Sequence, residues 1–256
     1  MTRRRWIADA CTPATSTLPA TATLTGDQAA HLARVLRAEP GQIYDVVANG
    51  FLHRAEITRV TEDRVDFTLH EELETDAALP LHLLLAIFKF DHMEWAIEKA
   101  TELGIARITP ILARRTEKHL ALAAPKRAER WRRIALEASK QSRRTTIPEI
   151  TDPTQLKVAL EKEKSPTRIL LSETEQATTL TTALEASVRT TGYESVALTD
   201  PPITHALAIG PEGGWTPEEM TLFTQHNWQP VTLGPRILRA ETAAIAAIAI
   251  ASTHLL

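Results

Sequence analysis

Leu207-Ala-Ile-Gly-Pro-Glu-Gly-Gly-Trp-Thr-Pro-Glu-Glu219 and, soon after it, Leu233-Gly-Pro-Arg-Ile-Leu-Arg-Ala-Glu-Thr-Ala243 decide how this chain is read. Each runs from a short apolar segment through a glycine-bearing turn towards a helix. Glycine has no Cβ, so such turns present bare backbone N–H and C=O groups to a ligand. In an open α/β sheet, ligands bind beyond the carboxyl ends of the strands, where these turns lie. Two of them close together in sequence predict one composite pocket.

The first turn carries the most local information. His205 to Ile209 reads as a buried strand, and Gly210, Gly213 and Gly214 then free the backbone. Thr216 is placed to cap the next helix, Pro217 suits its first position, and Glu219 completes a Thr-x-x-Glu capping box. An ordinary βα turn would also use glycine, so spacing alone leaves that reading open.

Outward from the turns, strands alternate with helices from Pro80 onward. Leu81 to Phe88 is an apolar run, broken only by His82, of the kind found in central parallel strands. Met93, Ala96, Ile97, Ala100 and Leu103 recur at helical spacing, and Gly104 ends that helix. Ala106 to Leu112, Arg168 to Leu171, Ala206 to Ile209 and Pro230 to Leu233 read as further strands. Pro125 to Gln141 reads as a basic helix and Ala240 to Thr253 as a closing one. The alternation predicts an α/β fold with a parallel sheet. Residues 1–72 differ. A Thr/Ala/Pro-rich stretch, Thr12 to Thr25, reads as extended or loop. A short helix follows over Gln28 to Arg37, then strand runs Ile43 to Ala48, Leu52 to Val60 and Arg64 to His70. Asn49-Gly50 between the first two runs is a hairpin signal. The expected division is a small β-rich domain over 1–72, a linker over 73–79 and an α/β domain over 80–256.

The chain has 256 residues, 43% hydrophobic and 24% charged, with a net charge of −3, as in an ordinary globular protein. Its single cysteine, Cys11, fits a reducing compartment. No apolar segment follows the N-terminal arginines as a signal peptide would require, and none is long enough to span a bilayer. The expectation is a cytoplasmic protein. Between Arg107 and Arg144, twelve Lys/Arg face three glutamates of the same stretch. Such a stripe suits phosphates or is a solvated helix face. The sequence holds no Gly-x-x-x-x-Gly-Lys-Ser/Thr loop and no Gly-x-Gly-x-x-Gly fingerprint. It has no Cys/His set at zinc spacing, so no metal is expected.

The two glycine motifs resemble those of the ribosomal RNA small subunit methyltransferase E family, within the knotted SPOUT methyltransferases. Three further blocks agree, in order: His31-Leu-x-x-Val-Leu-Arg37, Lys99-Ala-Thr-Glu-Leu-Gly-Ile105 and Glu137-Ala-Ser-Lys-Gln-Ser-Arg-Arg144. The five blocks span nearly the whole chain. The resemblance implies transfer of a methyl group from S-adenosylmethionine (SAM) to N3 of a uridine in 16S rRNA, acting on the small ribosomal subunit. It also implies a C-terminal trefoil knot, a PUA-like β-barrel that helps bind RNA, and a homodimer.

By the same resemblance three loops build the cofactor pocket: Leu171, Ser172 and Glu173; Gly210, Pro211, Glu212 and Gly213; and Leu233, Gly234, Arg236, Ile237 and Leu238. Leu171 serves equally well as plain core. Methylating N3 requires its proton to be removed, so a carboxylate is wanted as base and arginine to steady charge on the uracil oxygens. Glu212, Arg236, Arg239 and Glu241 are the candidates, with an Arg239–Glu241 salt bridge as the structural alternative. Arg3, Arg4, Arg5, His31, Arg37 and Arg144 are the candidates for holding RNA. Two other readings stay open. One is an RNA-binding assembly factor without turnover; the other is a related SPOUT enzyme acting on another base or a ribose 2′-hydroxyl. The intact glycine blocks count against the first, and the His31 and Gln141 blocks against the second.

Overall fold

The computed structural model describes residues 5–73, 78–191 and 203–255. They fall into two compact units, one of residues 5–73 with 139–146 and one of residues 78–138, 147–191 and 203–255.

The first unit is a six-stranded sheet of β1 (Arg5–Ile7), β2 (Ala10–Thr12), β3 (Thr21–Thr25), β4 (Ile43–Ala48), β5 (Phe51–Val60) and β6 (Arg64–Leu73). Its order is β1-β4-β5-β6-β3-β2, and β1 pairs parallel with β4 while the other pairs are antiparallel. Alternate residues of these strands (Trp6, Leu24, Val46, Ile57, Val65 and Phe67) meet in the core, the period-2 pattern of a half-buried sheet. Asn49 and Gly50 both have positive φ, 51° and 85°, and join β4 to β5 in a two-residue hairpin. The stretch Thr12 to Thr25, read as extended or loop, ends in β3, whose Ala22 and Leu24 are buried opposite β6. The helix expected over 28–37 starts earlier, as α1 (Gly26–Ala30), and continues as a π-helical turn, His31–Val35. Residues 139–146 belong here because the Arg5 guanidinium donates to the Arg143 carbonyl at 2.7 Å.

The second unit is a parallel sheet. Its strands are β7 (Leu79–Ala86), β8 (Ile105–Leu112), β9 (Glu149–Ile150), β10 (Thr154–Gln155), β11 (Thr167–Leu171), β12 (His205–Ile209) and β13 (Gln229–Val231). The order is β10-β8-β7-β12-β11-β13, with β9 on β8, and all pairs are parallel. The helices are α2 (Phe90–Glu102), α3 (Lys118–Gln141), α4 (Leu156–Lys162), α5 (Leu180–Thr191), α6 (Pro217–Gln225) and α7 (Ala240–Leu255).

Every residue of β7 is buried. Leu81, Leu83 and Leu85 join a core with residues of α2, α3, α5 and α7. Leu84 joins a second core, with Leu156 and Leu160 of α4 and Phe223 of α6. A side-chain period of two sends neighbours to opposite faces, so helices must cover both. Burying each leucine contributes about 1.5–3 kcal/mol, so this strand and its neighbour β12 anchor the unit. α7 packs on α2 and α5 through Ala244, Ala247 and Ala251, whose small side chains permit close approach. The basic helix begins at Lys118 rather than at Pro125, which lies exposed inside it.

Candidate functional site

All five strands β7, β8, β11, β12 and β13 release their chain at the same edge, and one cavity of about 1050 Å³ lies there. Its lining comes from the segments that follow each strand. Lys89 and His92 follow β7, Arg115 follows β8, and Leu171 to Gln176 end and follow β11. Gly210 to Trp215 follow β12, and Thr232 to Ala240 follow β13. The two glycine turns thus meet in one pocket, with Leu171, Ile209, Val231, Leu233 and Leu238 as apolar wall and backbone around them.

The first turn is built as its residues dictate. Thr216 caps α6, accepting from the Glu219 N–H at 3.3 Å, and Glu219 Oε2 accepts from the Thr216 N–H at 2.9 Å. Glu219 does more than its capping box requires. Its other oxygen accepts from the Arg114 N–H at 2.8 Å, and the carboxylate is 3% exposed. One buried carboxylate therefore ties the segment after β8 to the turn after β12. Arg115 adds a second tie, donating from Nη1 to the Gly213 carbonyl. A Cβ on Gly210 would lie 3.1 Å from Trp215 Nε1, so glycine lets the indole lie against the turn. Gly214 needs its freedom for another reason, a φ of 69°. In the second turn Gly234 has a φ of 114°, and a Cβ there would meet nothing within 4 Å.

The cavity's charges are divided. Lys89, Arg115, Arg236 and Arg239 are cations on its lining, while Glu173, Glu175 and Glu212 bring carboxylates. The N–H groups of Thr178 and Ala177 hold the Glu175 carboxyl below its ordinary value. Of the catalytic candidates, Glu212, Arg236 and Arg239 are exposed on the lining. Glu241 is different: it is buried in the first turn of α7 and is not part of the lining. The expected Arg239–Glu241 bridge is not among the ion pairs of the described residues; Glu241 Oε1 instead lies 3.3 Å from His92 Nδ1. Among the cofactor candidates, Ser172 and Leu233 are partly buried, whereas Ile237 is 82% exposed.

The RNA candidates lie in the first unit. Arg5 and Arg144 come near each other through the Arg5–Arg143 hydrogen bond. His31 lies against Trp6, ring centroids 5.9 Å apart. Arg37 is exposed with a φ of 49°. Burial lowers the Arg144 guanidinium to about 10, and its Nη2 donates to Thr146 Oγ1 at 3.3 Å. Arg3 and Arg4 lie outside the described residues. The basic stripe is far less free than its composition suggests. Arg130 binds Glu94 in a two-pronged bridge, at 2.7 and 2.8 Å, and Arg127 reaches the same carboxylate at 3.3 Å while lying over Phe90. Arg132 pairs with Asp152 and Arg107 with Glu149, each at 2.6 Å. The neutralising carboxylates come from outside the stretch in which the charges were counted.

Lys89, His92 and Arg115 were missed by sequence reading. The signal was there, since each follows a strand end, as the glycine turns do. Among the described residues no cluster of three or more His, Cys, Asp or Glu is arranged to hold a metal, and no helix is long and apolar enough to cross a membrane.

Residues 75–252 match the RNA methyltransferase domain family. The chain is 33% identical to the ribosomal RNA small subunit methyltransferase E of Synechocystis, over 91% of this chain and 73% of that protein. It is 30% identical to the Bacillus subtilis protein of the same name, over 89% and 88%. A crystal structure of the Neisseria gonorrhoeae methyltransferase E, bound to S-adenosyl methionine, aligns with a TM-score of 0.75 and 29% identity, covering 98% of both chains.

Proposed function

As a member of the ribosomal RNA small subunit methyltransferase E family, the chain is one in which we propose SAM-dependent methylation of N3 of a uridine in 16S rRNA. The observation that carries this reading is the single cavity into which both glycine turns open. Its size is at the upper end of small-molecule sites, and its lining of apolar walls with a few polar groups has their character. The residues fit a nucleoside that carries a positive charge. Backbone groups of Gly210, Pro211, Gly213, Leu233 and Gly234 are proposed to hydrogen-bond it, Leu171, Ile237 and Leu238 to supply apolar surface, and Ser172, Glu173 and Glu212 to supply oxygens. When bound, SAM supplies an electrophilic methyl group on a sulfonium and needs no metal to do so.

The chain's own residues must then bind and orient uridine and accommodate loss of its N3 proton. Glu212, Arg236 and Arg239, which line the cavity, are proposed for that work, with Glu241 near His92. Much of the acceleration is assigned to positioning. The target base must be unstacked to enter. Arg5, His31, Arg37 and Arg144 are proposed to hold the RNA, with Arg3 and Arg4 beside them in sequence. The reading includes a PUA-like barrel in the first unit, a trefoil knot formed by the last segments, a cytoplasmic homodimer, and the assembled small subunit as substrate. Exposed Ile237 supports a partner or ligand covering that loop.

The test is methyl transfer from labelled SAM to unmodified small subunits, followed by nucleoside mass spectrometry. 3-Methyluridine is the expected product. Another methylated nucleoside would overturn the base specificity, and SAM or rRNA binding without transfer would favour an assembly factor.

A further inference from the structure

Uracil N3 is a poor nucleophile because it carries a proton and its lone pair is shared with two carbonyls. Breaking the N–H bond passes the proton to a base, for which Glu212 on the lining is the candidate proposed above, and leaves the electron pair on the ring, with the charge spread onto O2 and O4. That pair then forms the N–CH3 bond, while the methyl donor keeps the pair of the bond that breaks. A cation fixed beside O4 or O2 before the base arrives would stabilise the ionised ring at no cost in reorganisation.

Arg115 has the required fixity. Its segment is tied at three points: the Arg114 N–H to Glu219 at 2.8 Å, Thr116 Oγ1 to the Ile87 carbonyl at 3.0 Å, and its own Nη1 to the Gly213 carbonyl. The side-chain stem lies against the glycine turn, since a Cβ on Gly213 would be 3.3 Å from Arg115 Cδ. A guanidinium offers a rigid fork of donors, and one is used on Gly213. Among the described residues no carboxylate forms an ion pair with it, unlike Arg107, Arg127, Arg130 and Arg132. It is a cavity-lining cation held without a direct carboxylate partner, its electrostatic influence being felt by exposed Glu218.

Resting on the methyltransferase reading above, we infer that Arg115 is the uracil-binding catalytic cation, donating to a carbonyl oxygen of the target base and stabilising its N3 anion. Arg115→Gln is expected to lower kcat about 100-fold, the loss typical of a removed oxyanion donor, with the SAM dissociation constant unchanged within about threefold. The decisive substrate is a small subunit assembled on 16S rRNA transcribed with 5-fluorouridine triphosphate in place of UTP. Fluorine acidifies the N3 proton, so less help from a cation is needed, and the deficit of Arg115→Gln should shrink to under about tenfold. Arg115→Lys, which keeps the charge but loses the fork, should show a smaller deficit that fluorine also relieves. A deficit equal on both substrates, or SAM affinity falling in step with activity, would overturn the inference and leave Arg115 as a brace for the Gly213 turn. If the wild type methylates no uridine, the reading beneath it falls as well; that result is distinct from an active wild type with an unrescued variant.

Discussion

Glu219→Ala tests whether one carboxylate joins two strand ends. In the native protein both oxygens are engaged, by the Thr216 N–H at 2.9 Å and the Arg114 N–H at 2.8 Å, and the residue is 3% exposed. Removing it leaves only the Thr216 half of the α6 capping box. It also strands two N–H groups, each costing about 1–3 kcal/mol if left without a partner. Both are only partly buried, so water recovers some of that. The net loss should be about 3 kcal/mol. For a unit of this size each kcal/mol shifts the midpoint by about 2–4 °C, so Tm should fall by about 6–12 °C in scanning calorimetry. Glu219→Gln keeps one carbonyl oxygen and should fall by only about 2–4 °C, while exposed Glu218→Ala should melt with the wild type. An alanine variant within about 2 °C of wild type, or glutamine as harmful as alanine, would refute the idea that this carboxylate braces the two segments.

Gly210→Val should weaken SAM binding at least about tenfold in titration calorimetry, because any side chain there must displace the Trp215 ring; unaltered affinity would remove this turn from the pocket. His205 is buried at the start of β12, and burial lowers it from 6.5 to about 4. The folded protein therefore resists a proton that the unfolded chain accepts, so stability is complete above about pH 6.5 and declines towards pH 4, by about 3 kcal/mol. Urea titrations at pH 7 and 4.5 should show a smaller loss for His205→Gln than for wild type. Gly50→Ala should cost about 1 kcal/mol in urea unfolding of the first unit, because the φ of 85° is wrong for alanine although a Cβ there would be 4.0 Å from its nearest neighbour. Arg37→Ala should weaken rRNA binding and lessen its salt dependence by about one ion, leaving SAM affinity alone; exposed Arg37 serves this test better than partly buried Arg144.

What could be read in the sequence was what short-range physics determines. The apolar run of β7, the helical spacing of α2, the Asn49-Gly50 hairpin and the Thr216–Glu219 cap are local patterns, and each stands where its pattern placed it. Strands of two or three residues such as β1, β9 and β10 are too short to carry a period and are created by their neighbours. The basic stripe could not be decided between a phosphate surface and a solvated face, because a count along the chain omits carboxylates brought from elsewhere, such as Glu94 and Asp152. The cavity was half legible. Its glycine turns announce themselves, whereas Lys89, His92 and Arg115 look like ordinary surface residues until the parallel sheet places them at the same edge.

The central pairing of β7 with β12 has a consequence for synthesis. Thr204 and Pro80, hydrogen-bonded in the finished protein, are 124 residues apart in the chain. At about 5–20 residues per second a ribosome needs about 6–25 s to cover that distance. Throughout that interval a strand destined for complete burial has emerged without the neighbour that closes one of its edges. Nascent chains halted before His205 should accordingly bind holdase chaperones and precipitate when released, whereas chains extended through α7 should not. The cavity, drawing on residues from Lys89 to Ala243, comes into being only with the last of them.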